Sequence, residues 1–392
     1  MLSSRYVRLL LGASAALLVV AIGCGSNDRD AFENNGGSSS GESSGFNPQD
    51  SGQNDSSFDP DVACATAKIE AKRAPANILF IVDRSGSMNC NPPPTTTSQT
   101  CETTPTTANP NLPTKWYATK EALKKAIAKM PKEDSAGLTL FNVDNTCGVV
   151  SAPNVAVKKV DDQQLVDLAT LLDGVSPEGL TPIVGAVTLG YNHLHTNTFV
   201  GKKYIVLITD GKETCAEGMV DNFLAKTVPD ALSVGIRTFV IGAPGSEPAR
   251  SLLSRIAFEG GTASNANCTH KALPADIGDC HFDLTDPSLD LSVALGQALD
   301  KVSRDALTCE YDVPTSETGT VDLAKVNVVY APANGAPQTI PQDVTKECQL
   351  ADGWQYSPDG KRITLCGPSC EKLKNDTTGS VSIQLGCQTV VR

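Results

Sequence analysis

The feature that most constrains the fold is an alternation of near-continuous apolar runs with amphipathic segments, which begins at Ala76. Four of the apolar runs predict buried strands: NILFIVD (77–83), GLTLFNV (137–143), KKYIVLITDG (202–211) and IRTFVIGA (236–243). A further run at 147–157 predicts an edge strand, and segments such as KWYATKEALKKAIAKM (115–130) have the spacing of helices. This alternation predicts an α/β fold, doubly wound, with a mostly parallel sheet and helices on both faces.

The predicted α/β domain spans residues 64–308, and the character of the chain changes after Cys309. VNVVYAP, GWQYSPDGKRITLC and GSVSIQLGCQTVV are short apolar runs separated by turn residues, as in small antiparallel sheets. Five cysteines lie in the segment from Cys309 to Cys387, with these two included. We therefore predict that residues 309–392 form a small β domain stapled by disulfides.

The N-terminal segment has the layout of a secretory signal. Arg5 and Arg8 precede an apolar run at 9–22, which is short for a membrane span. Residues 1–23 are thus expected to be a signal peptide. Residues 24–63 are rich in Gly, Ser, Asn and Asp, a composition typical of a disordered tether.

The end of this signal, VAIGC, resembles the lipobox of bacterial lipoproteins, in which the cysteine is lipidated. Ala21 stands where that family usually has leucine, so ordinary cleavage before Cys24 is the competing interpretation. The chain has 13 cysteines, and setting Cys24 aside leaves an even 12 that can all form disulfides. Gly25 follows Cys24 directly. Because the residue at this position is not an aspartate, the sequence shows no signal for retention in the inner membrane. We expect an exported, lipid-anchored protein of the bacterial cell envelope, at the outer membrane or cell surface.

Oxygen-bearing side chains follow the predicted strands. Asp83, Ser85 and Ser87 come after the first strand, Asp210 ends the third, and Thr181 is the predicted N-cap of a helix. The carboxyl ends of parallel strands form one edge, where ligands bind in such folds. Each residue alone fits a turn or a helix cap, but five on three separate segments favour a shared site. Hydroxyls and carboxylates suit Mg²⁺, or Mn²⁺ and Ca²⁺, rather than zinc or copper.

The motifs DRSGS, GLTP and ITDG, in this order, resemble the von Willebrand factor type A domain with its metal-ion-dependent adhesion site. The resemblance implies that the two serines and the threonine bind the metal directly, and the aspartates directly or through water. It also implies that an acidic group of a protein or glycan partner completes the metal's coordination. Carried over to this sequence, the metal ligands are Asp83, Ser85, Ser87, Thr181 and Asp210.

Two functions remain open from the sequence. The chain is either an adhesion protein that captures an acidic partner through the metal, or a structural or assembly component of the cell envelope whose metal only stabilises the fold. An enzyme is disfavoured, because the predicted α/β domain contains no Gly-x-Ser-x-Gly nucleophile elbow, the chain has no phosphate-loop motif, and no histidine marks Ser85 or Ser87 as a nucleophile. We thus expect no catalytic and no cofactor-binding residues beyond the metal ligands. A net charge of −12 and 5% aromatic residues also disfavour nucleic-acid binding.

The cysteines suggest specific disulfides in an oxidising compartment. Within the α/β domain we expect the pairs Cys90–Cys101, Cys147–Cys215 and Cys268–Cys280. A zinc site of Cys268, His270, Cys280 and His281 is the alternative to the last pair. A Cys64–Cys309 bridge would join the two ends of the domain. Fifteen connectivities are open to the other six cysteines: Cys64, Cys309, Cys348, Cys366, Cys370 and Cys387.

An insertion at residues 89–113 separates the serines from the first predicted helix. It is rich in Pro and Thr and is expected to be closed by the Cys90–Cys101 pair. We predict that the insertion projects near the open coordination position of the metal. There it would determine which partners bind, or shield the metal.

Overall fold

The computed structural model describes residues 67–92, 101–102, 109–141, 146–265, 267–270, 278–314, 321–345, 348, 351–376 and 379–392. All of them lie in one compact unit, Asp59–Arg392. The predicted signal peptide, Cys24, the tether and Cys64 lie outside the described residues, as do 93–100 and 103–108 of the predicted insertion. None of the helices in the described part of the chain has the length and apolar composition needed to cross a membrane.

The described residues form these strands and helices. The strands are β1 (Ala67–Glu70), β2 (Ala76–Val82), β3 (Ser135–Leu140), β4 (Val155–Lys159), β5 (Lys202–Thr209), β6 (Ile236–Gly242), β7 (Phe282–Asp283), β8 (Glu310–Asp312), β9 (Val326–Ala331), β10 (Gln338–Ile340), β11 (Gly353–Tyr356), β12 (Arg362–Cys366) and β13 (Ser380–Leu385). The α-helices of six or more residues are α1 (Lys115–Ala128), α2 (Asp162–Gly174), α3 (Ile183–Thr196), α4 (Val228–Ser233), α5 (Arg250–Glu259), α6 (Leu291–Ala306) and α7 (Gly367–Lys374).

A six-stranded sheet forms the centre of the α/β domain, in the order β4-β3-β2-β5-β6-β7. Strands β3, β2, β5, β6 and β7 run parallel, and β4 pairs antiparallel with β3 at the edge. Every residue of β2 is buried, because successive side chains point to opposite faces and both faces are covered. Ile78 and Phe80 belong to the core that β2 shares with α1, α2 and α6, whereas Leu79 and Ile81 belong to the core formed with α3 and α5. The predicted doubly wound α/β fold is confirmed.

The C-terminal region forms two small antiparallel sheets, β1-β13-β9-β10 and β11-β12-β8. They share one apolar core, in which Trp354 is fully buried together with Ile363, Val328 and Ile383. The predicted small β domain is therefore present. Helix α7 was not predicted, because eight residues with Pro368 in the first turn give too short a pattern to recognise.

Strand β1 shows that the β domain takes one of its strands from the other end of the chain. It pairs antiparallel with β13, with Ile69 opposite Ile383. Residues 67–70 thus lie in a sheet of the C-terminal region, although the sequence places them at the start of the α/β domain. The four-residue sequence AKIE contains no pattern that would indicate pairing with a strand more than 300 residues later in the chain.

Five disulfides join cysteines that are both described: Cys90–Cys101, Cys147–Cys215, Cys268–Cys280, Cys309–Cys370 and Cys348–Cys366. The first three are the pairs that the sequence suggests within the α/β domain. The expected Cys64–Cys309 bridge is wrong, since Cys309 is bonded to Cys370 within the β domain. The physical reason is proximity, because helix α7 presents Cys370 to the chain where it enters β8.

Candidate metal centre

Asp83 directly follows β2 at the carboxyl edge of the sheet, and its side chain is fully buried. Its backbone N–H donates to the Ile208 carbonyl of the neighbouring strand at 2.8 Å. Asp83 Oδ1 accepts a hydrogen bond from the Ser85 backbone N–H at 2.7 Å, and Oδ2 accepts one from Thr209 Oγ1 at 2.6 Å. The carboxylate is therefore held in one orientation by its own turn and by strand β5.

Ser85 and Ser87 connect this turn to Asp210. Ser87 lies in the short 3₁₀ helix Gly86–Asn89, for which Ser85 is the residue before the first turn. The two hydroxyl oxygens are 3.1 Å apart, and Ser87 Oγ donates to Asp210 Oδ1 at 2.7 Å. Four of the five predicted ligands are thus linked by hydrogen bonds at the end of β2 and β5.

Thr181 lies beside the same cluster, on the segment before α3. A side chain on Gly211 would begin 3.4 Å from Thr181 Oγ1, so the hydroxyl faces the turn that follows Asp210. The prediction that Thr181 caps the helix is wrong: α3 begins at Ile183, Pro182 takes the cap position, and no side chain of that position makes a capping bond. The Thr181 backbone instead pairs with Thr214, whose Oγ1 accepts from Thr181 N at 2.9 Å.

Glu213 supplies the cap that Thr181 does not, and sequence reasoning missed it. Its Oε2 accepts from the Val184 backbone N–H, in the first turn of α3, at 2.7 Å. Its Oε1 accepts from the backbone N–H groups of Cys215 and Ala216 at 2.6 and 2.8 Å. This buried carboxylate therefore fastens the Thr181 segment to the loop after Asp210. The one sequence feature that could have identified Glu213 is its position, as an acidic residue three positions after Asp210 of the ITDG motif.

The two carboxylates of the cluster are close enough to affect each other. Burial, and then the nearby Asp210 carboxylate, raise the pKa of Asp83 to about 7, although hydrogen bonds from Ser85 and Thr209 act in the opposite direction. Because the effects that raise this pKa are the larger ones, two negative charges at this edge of the sheet are costly without a nearby cation. Lys115, which the sequence analysis did not single out, forms an ion pair with Asp210 Oδ2.

The donor set fits a hard divalent cation. Three hydroxyls and two carboxylates meet at one edge of the sheet, and such oxygens suit Mg²⁺, Mn²⁺ or Ca²⁺. Within the described residues, Asp210 Oδ2 is buried and accepts no hydrogen bond of good geometry, so its charge is compensated by the Lys115 ion pair alone. A buried carboxylate oxygen of this kind is a suitable ligand for a metal or for a metal-bound water.

The possible zinc site near residue 270 has a different arrangement. Ligand atoms of Cys268, His270 and Cys280 lie within 4.8 Å of one another, but the two sulfurs are bonded to each other. The His270 ring stacks on Phe258. His281 lies within hydrogen-bond distance of Ser254, with 2.8 Å between Nδ1 and Oγ. The oxidised pair leaves no thiolate for zinc.

Residues 78–213 match the family model of the von Willebrand factor type A domain, and this range contains all five predicted ligands. The match supports a domain of this type in the chain. An uncharacterized protein of Bacillus subtilis, YwmC, is 26% identical over 209 residues, which are 52% of this chain and 81% of that protein.

Two solved structures illustrate the structural likeness. An aerotolerance-related membrane protein from Bacteroides fragilis is 18% identical, with a TM-score of 0.38, over 59% of this chain and 99% of that one. The pilus adhesin SpaC from Lactobacillus rhamnosus GG, in an open conformation, is 14% identical, with a TM-score of 0.43, over 81% of this chain and 40% of that one.

Proposed function

We propose that Asp83, Ser85, Ser87, Thr181 and Asp210 hold a divalent cation, Mg²⁺ or else Mn²⁺ or Ca²⁺, and that the protein uses it to bind an acidic group of a protein or glycan partner. The observation that carries the proposal is the convergence of these side chains from three segments at the carboxyl edge of the sheet. The match of residues 78–213 to the type A family supports it.

The side chains of the cluster have different roles in this proposal. Ser85, Ser87 and Thr181 offer neutral hydroxyl oxygens, and the hydrogen bonds of Asp83 hold its carboxylate against the strand ends. When bound, the cation would supply positive charge and an open coordination position that accepts a carboxylate. Because the described residues of this cluster offer two carboxylates, a partner's acidic group adds the remaining negative charge.

Metal binding is the first test. Isothermal titration of the purified full chain with Mg²⁺ and Mn²⁺ should give saturable binding, and Asp83→Ala should abolish it. The control is Asp290→Asn, which alters the N-cap of α6 away from the cluster and should bind metal like the wild type. Equal binding by Asp83→Ala and the wild type would show that the metal lies elsewhere.

Partner capture is the second test. The protein would be applied to immobilised acidic peptides and uronic-acid glycans in Mg²⁺ or in EDTA. We expect binding that EDTA and Asp83→Ala both remove. Binding that survives both treatments would exclude metal-mediated capture.

The alternative function is a structural or assembly role in the cell envelope, with a metal that only stabilises the fold. It is favoured by the disulfide Cys147–Cys215, which fastens the loop after Asp210 to the segment after β3. Thermal melting with and without Mg²⁺ separates the two functions. A large metal-dependent rise in Tm with no metal-dependent binding to any of the acidic probes would favour the structural role.

We also propose that lipidation of Cys24 anchors the protein to a bacterial membrane, with the folded region exported. The support is the VAIGC sequence at the end of an apolar run that is preceded by basic residues. Cys24→Ala should move the protein from the membrane fraction to the soluble fraction and remove labelling by a fatty-acid analogue. Unchanged membrane association and labelling would contradict the anchor.

A further inference from the structure

Lys115 is a fully buried lysine whose ammonium group lies against the oxygen cluster. Its side chain is 1% exposed. The Nζ atom forms an ion pair with Asp210 Oδ2 and donates a hydrogen bond to the Pro244 carbonyl at 2.9 Å. Lysines are almost never fully buried unless they are paired, so the burial of Lys115 depends on Asp210.

The position of Lys115 in its helix is unfavourable by itself. It is the first residue of α1, and the first turn of this helix contains no acidic residue. The N-terminus of a helix carries partial positive charge, which disfavours a cation there. The negative charge of the cluster therefore has to offset both the burial and the helix dipole.

Two further segments of the chain lie against Lys115. The backbone N–H of Lys115 donates to the carbonyl of Cys90, at the start of the insertion, at 2.9 Å. Gly245 has a φ of 111°, and a side chain there would begin 3.1 Å from Lys115 Nζ and 2.8 Å from the Asp210 carbonyl oxygen. A glycine is therefore needed for the loop after β6 to approach the ion pair this closely.

We propose that Lys115 is a built-in cation of the cluster, which pairs with Asp210 and weakens the binding of the divalent cation at that site. This inference rests on the proposed function, because it concerns the same five ligands. When both carboxylates are ionised, they and the Lys115 ammonium carry a net charge of −1, and without the ammonium the net charge is −2. The ammonium also repels a divalent cation placed at the cluster. In the absence of metal, the same ion pair keeps Asp210 compensated and the edge of the sheet folded.

The test replaces the charge and keeps the length of the side chain. Lys115→Met should bind Mg²⁺ at least about tenfold more tightly than the wild type in isothermal titration, because the carboxylates lose their internal partner. Its Tm in EDTA should fall, since Asp210 is left buried without a counter-ion. Lys115→Gln, which keeps a donor for Pro244, should change the affinity in the same direction.

The matched control is Lys120→Met in the same helix. Lys120 pairs with Asp173 of α2 rather than with the cluster, so this variant removes an equal charge and should leave the Mg²⁺ affinity unchanged. Equal or weaker affinity in the two Lys115 variants, with a normal circular dichroism spectrum, would overturn the proposal.

A second measurement needs no variant at Lys115. The ¹⁵N signal of the Lys115 ammonium should shift when the wild-type protein is saturated with Mg²⁺, and should not shift in Asp83→Ala. A signal that stays in place at saturation would overturn the proposal even if the variants do not fold. Failure of the proposed function has a different signature, namely no Mg²⁺ binding by the wild type, and it would remove this inference as well.

Discussion

Glu213 connects the segment that carries Thr181 to the loop that follows Asp210. Its buried carboxylate accepts three backbone hydrogen bonds, one of them from the first turn of α3. Replacement by alanine would leave three partly buried N–H groups without their acceptor, and each such loss is costly.

We predict that Glu213→Ala lowers the free energy of unfolding by about 2–4 kcal/mol, because charge-assisted hydrogen bonds are the stronger kind. Urea unfolding in EDTA is the measurement, so that metal loss does not contribute. Glu217→Ala is the matched control, since Glu217 lies in the same loop with a side chain that is 68% exposed. A loss below about 0.5 kcal/mol in Glu213→Ala, similar to a surface substitution, would contradict the prediction.

His281 is a buried histidine outside the cluster that makes stability depend on pH. Burial lowers its pKa to about 4; the Asp283 and Asp279 carboxylates raise it, and the Arg250 guanidinium lowers it further. In the unfolded chain a histidine has a pKa of about 6.5. The unfolded state therefore takes up a proton between these two values while the native state stays neutral, so stability is lost as the pH falls through this range.

For His281 the expected slope is at most about 1.4 kcal/mol of unfolding free energy per pH unit, between roughly pH 6.5 and pH 4. Urea unfolding at several pH values in this range, for the wild type and His281→Gln, measures it. The variant should show a shallower decline than the wild type by about this slope. Parallel declines in the two proteins would mean that His281 does not contribute.

At the scale of elements, helix α3 packs unusually close to the sheet. Gly190 is the point of contact: a side chain there would begin 2.8 Å from Ile81 Cδ1 and 2.9 Å from Ile205 Cδ1. This close approach keeps α3 and its preceding segment, with Thr181, near the strand ends. Gly296 in α6 is the opposite case, because no atom lies within 4 Å of the corresponding position.

We predict that Gly190→Ala lowers the free energy of unfolding by about 1–3 kcal/mol, through overpacking against the two isoleucines. Gly296→Ala should instead raise it by up to about 1 kcal/mol, because alanine is the better helix former and meets no obstacle. Thermal and urea unfolding of both variants measure the difference in sign. A stabilised Gly190→Ala variant would show that α3 can move away from the sheet without cost.

The elements also show where local patterns were sufficient. The apolar periodicity of KWYATKEALKKAIAKM predicted α1, and the structure has it at Lys115–Ala128. The start of α3 was misplaced, because Thr181 and Pro182 have the residue types of a cap and a first turn. Glu213, 29 residues after the Val184 N–H from which it accepts, provides the hydrogen bond instead. Boundaries that depend on distant residues are not visible in a local pattern.

At the scale of the whole molecule, the segment between β1 and β2 connects the two regions of the structure. Arg73 Nη2 lies 2.7 Å from Asp134 Oδ1, and the same oxygen accepts from the Ala76 backbone N–H at 2.8 Å. The backbone of Arg73 also forms an isolated antiparallel β-bridge with Tyr311 of β8. The Asp134 side chain is 4% exposed, so the ion pair is largely protected from solvent.

We predict that Arg73→Met lowers the free energy of unfolding by roughly 1–3 kcal/mol, because Asp134 would stay buried without its partner. The control is Lys129→Met, whose pair with Asp300 is exposed and should contribute less than about 0.5 kcal/mol. Urea unfolding followed by tryptophan fluorescence reports on both regions, since Trp116 lies in α1 and Trp354 in the β domain. Equal effects of the two substitutions would contradict the protected ion pair.

The sequence by itself determined the features that short stretches encode. The alternation of buried strands and helices defined the α/β fold, since hydrophobic periodicity reports burial directly. Asp83, Ser85, Ser87, Thr181 and Asp210 were identifiable as candidate ligands because each follows a predicted strand or opens a predicted helix, and strand ends of a parallel sheet meet at one edge. Short cysteine spacings suggested pairs such as Cys90–Cys101, which the structure also has.

Only the tertiary structure decided the contacts that join distant parts of the chain. Lys115 meets Asp210 and Pro244, Thr209 meets Asp83, and β1 joins β13, across separations of about 95 to more than 300 residues. A lysine at a helix start and a threonine at a strand end look ordinary in sequence, because their surroundings are set by the path of the whole chain. Burial, partner and charge balance are properties of that path, and they bring these residues to the candidate site.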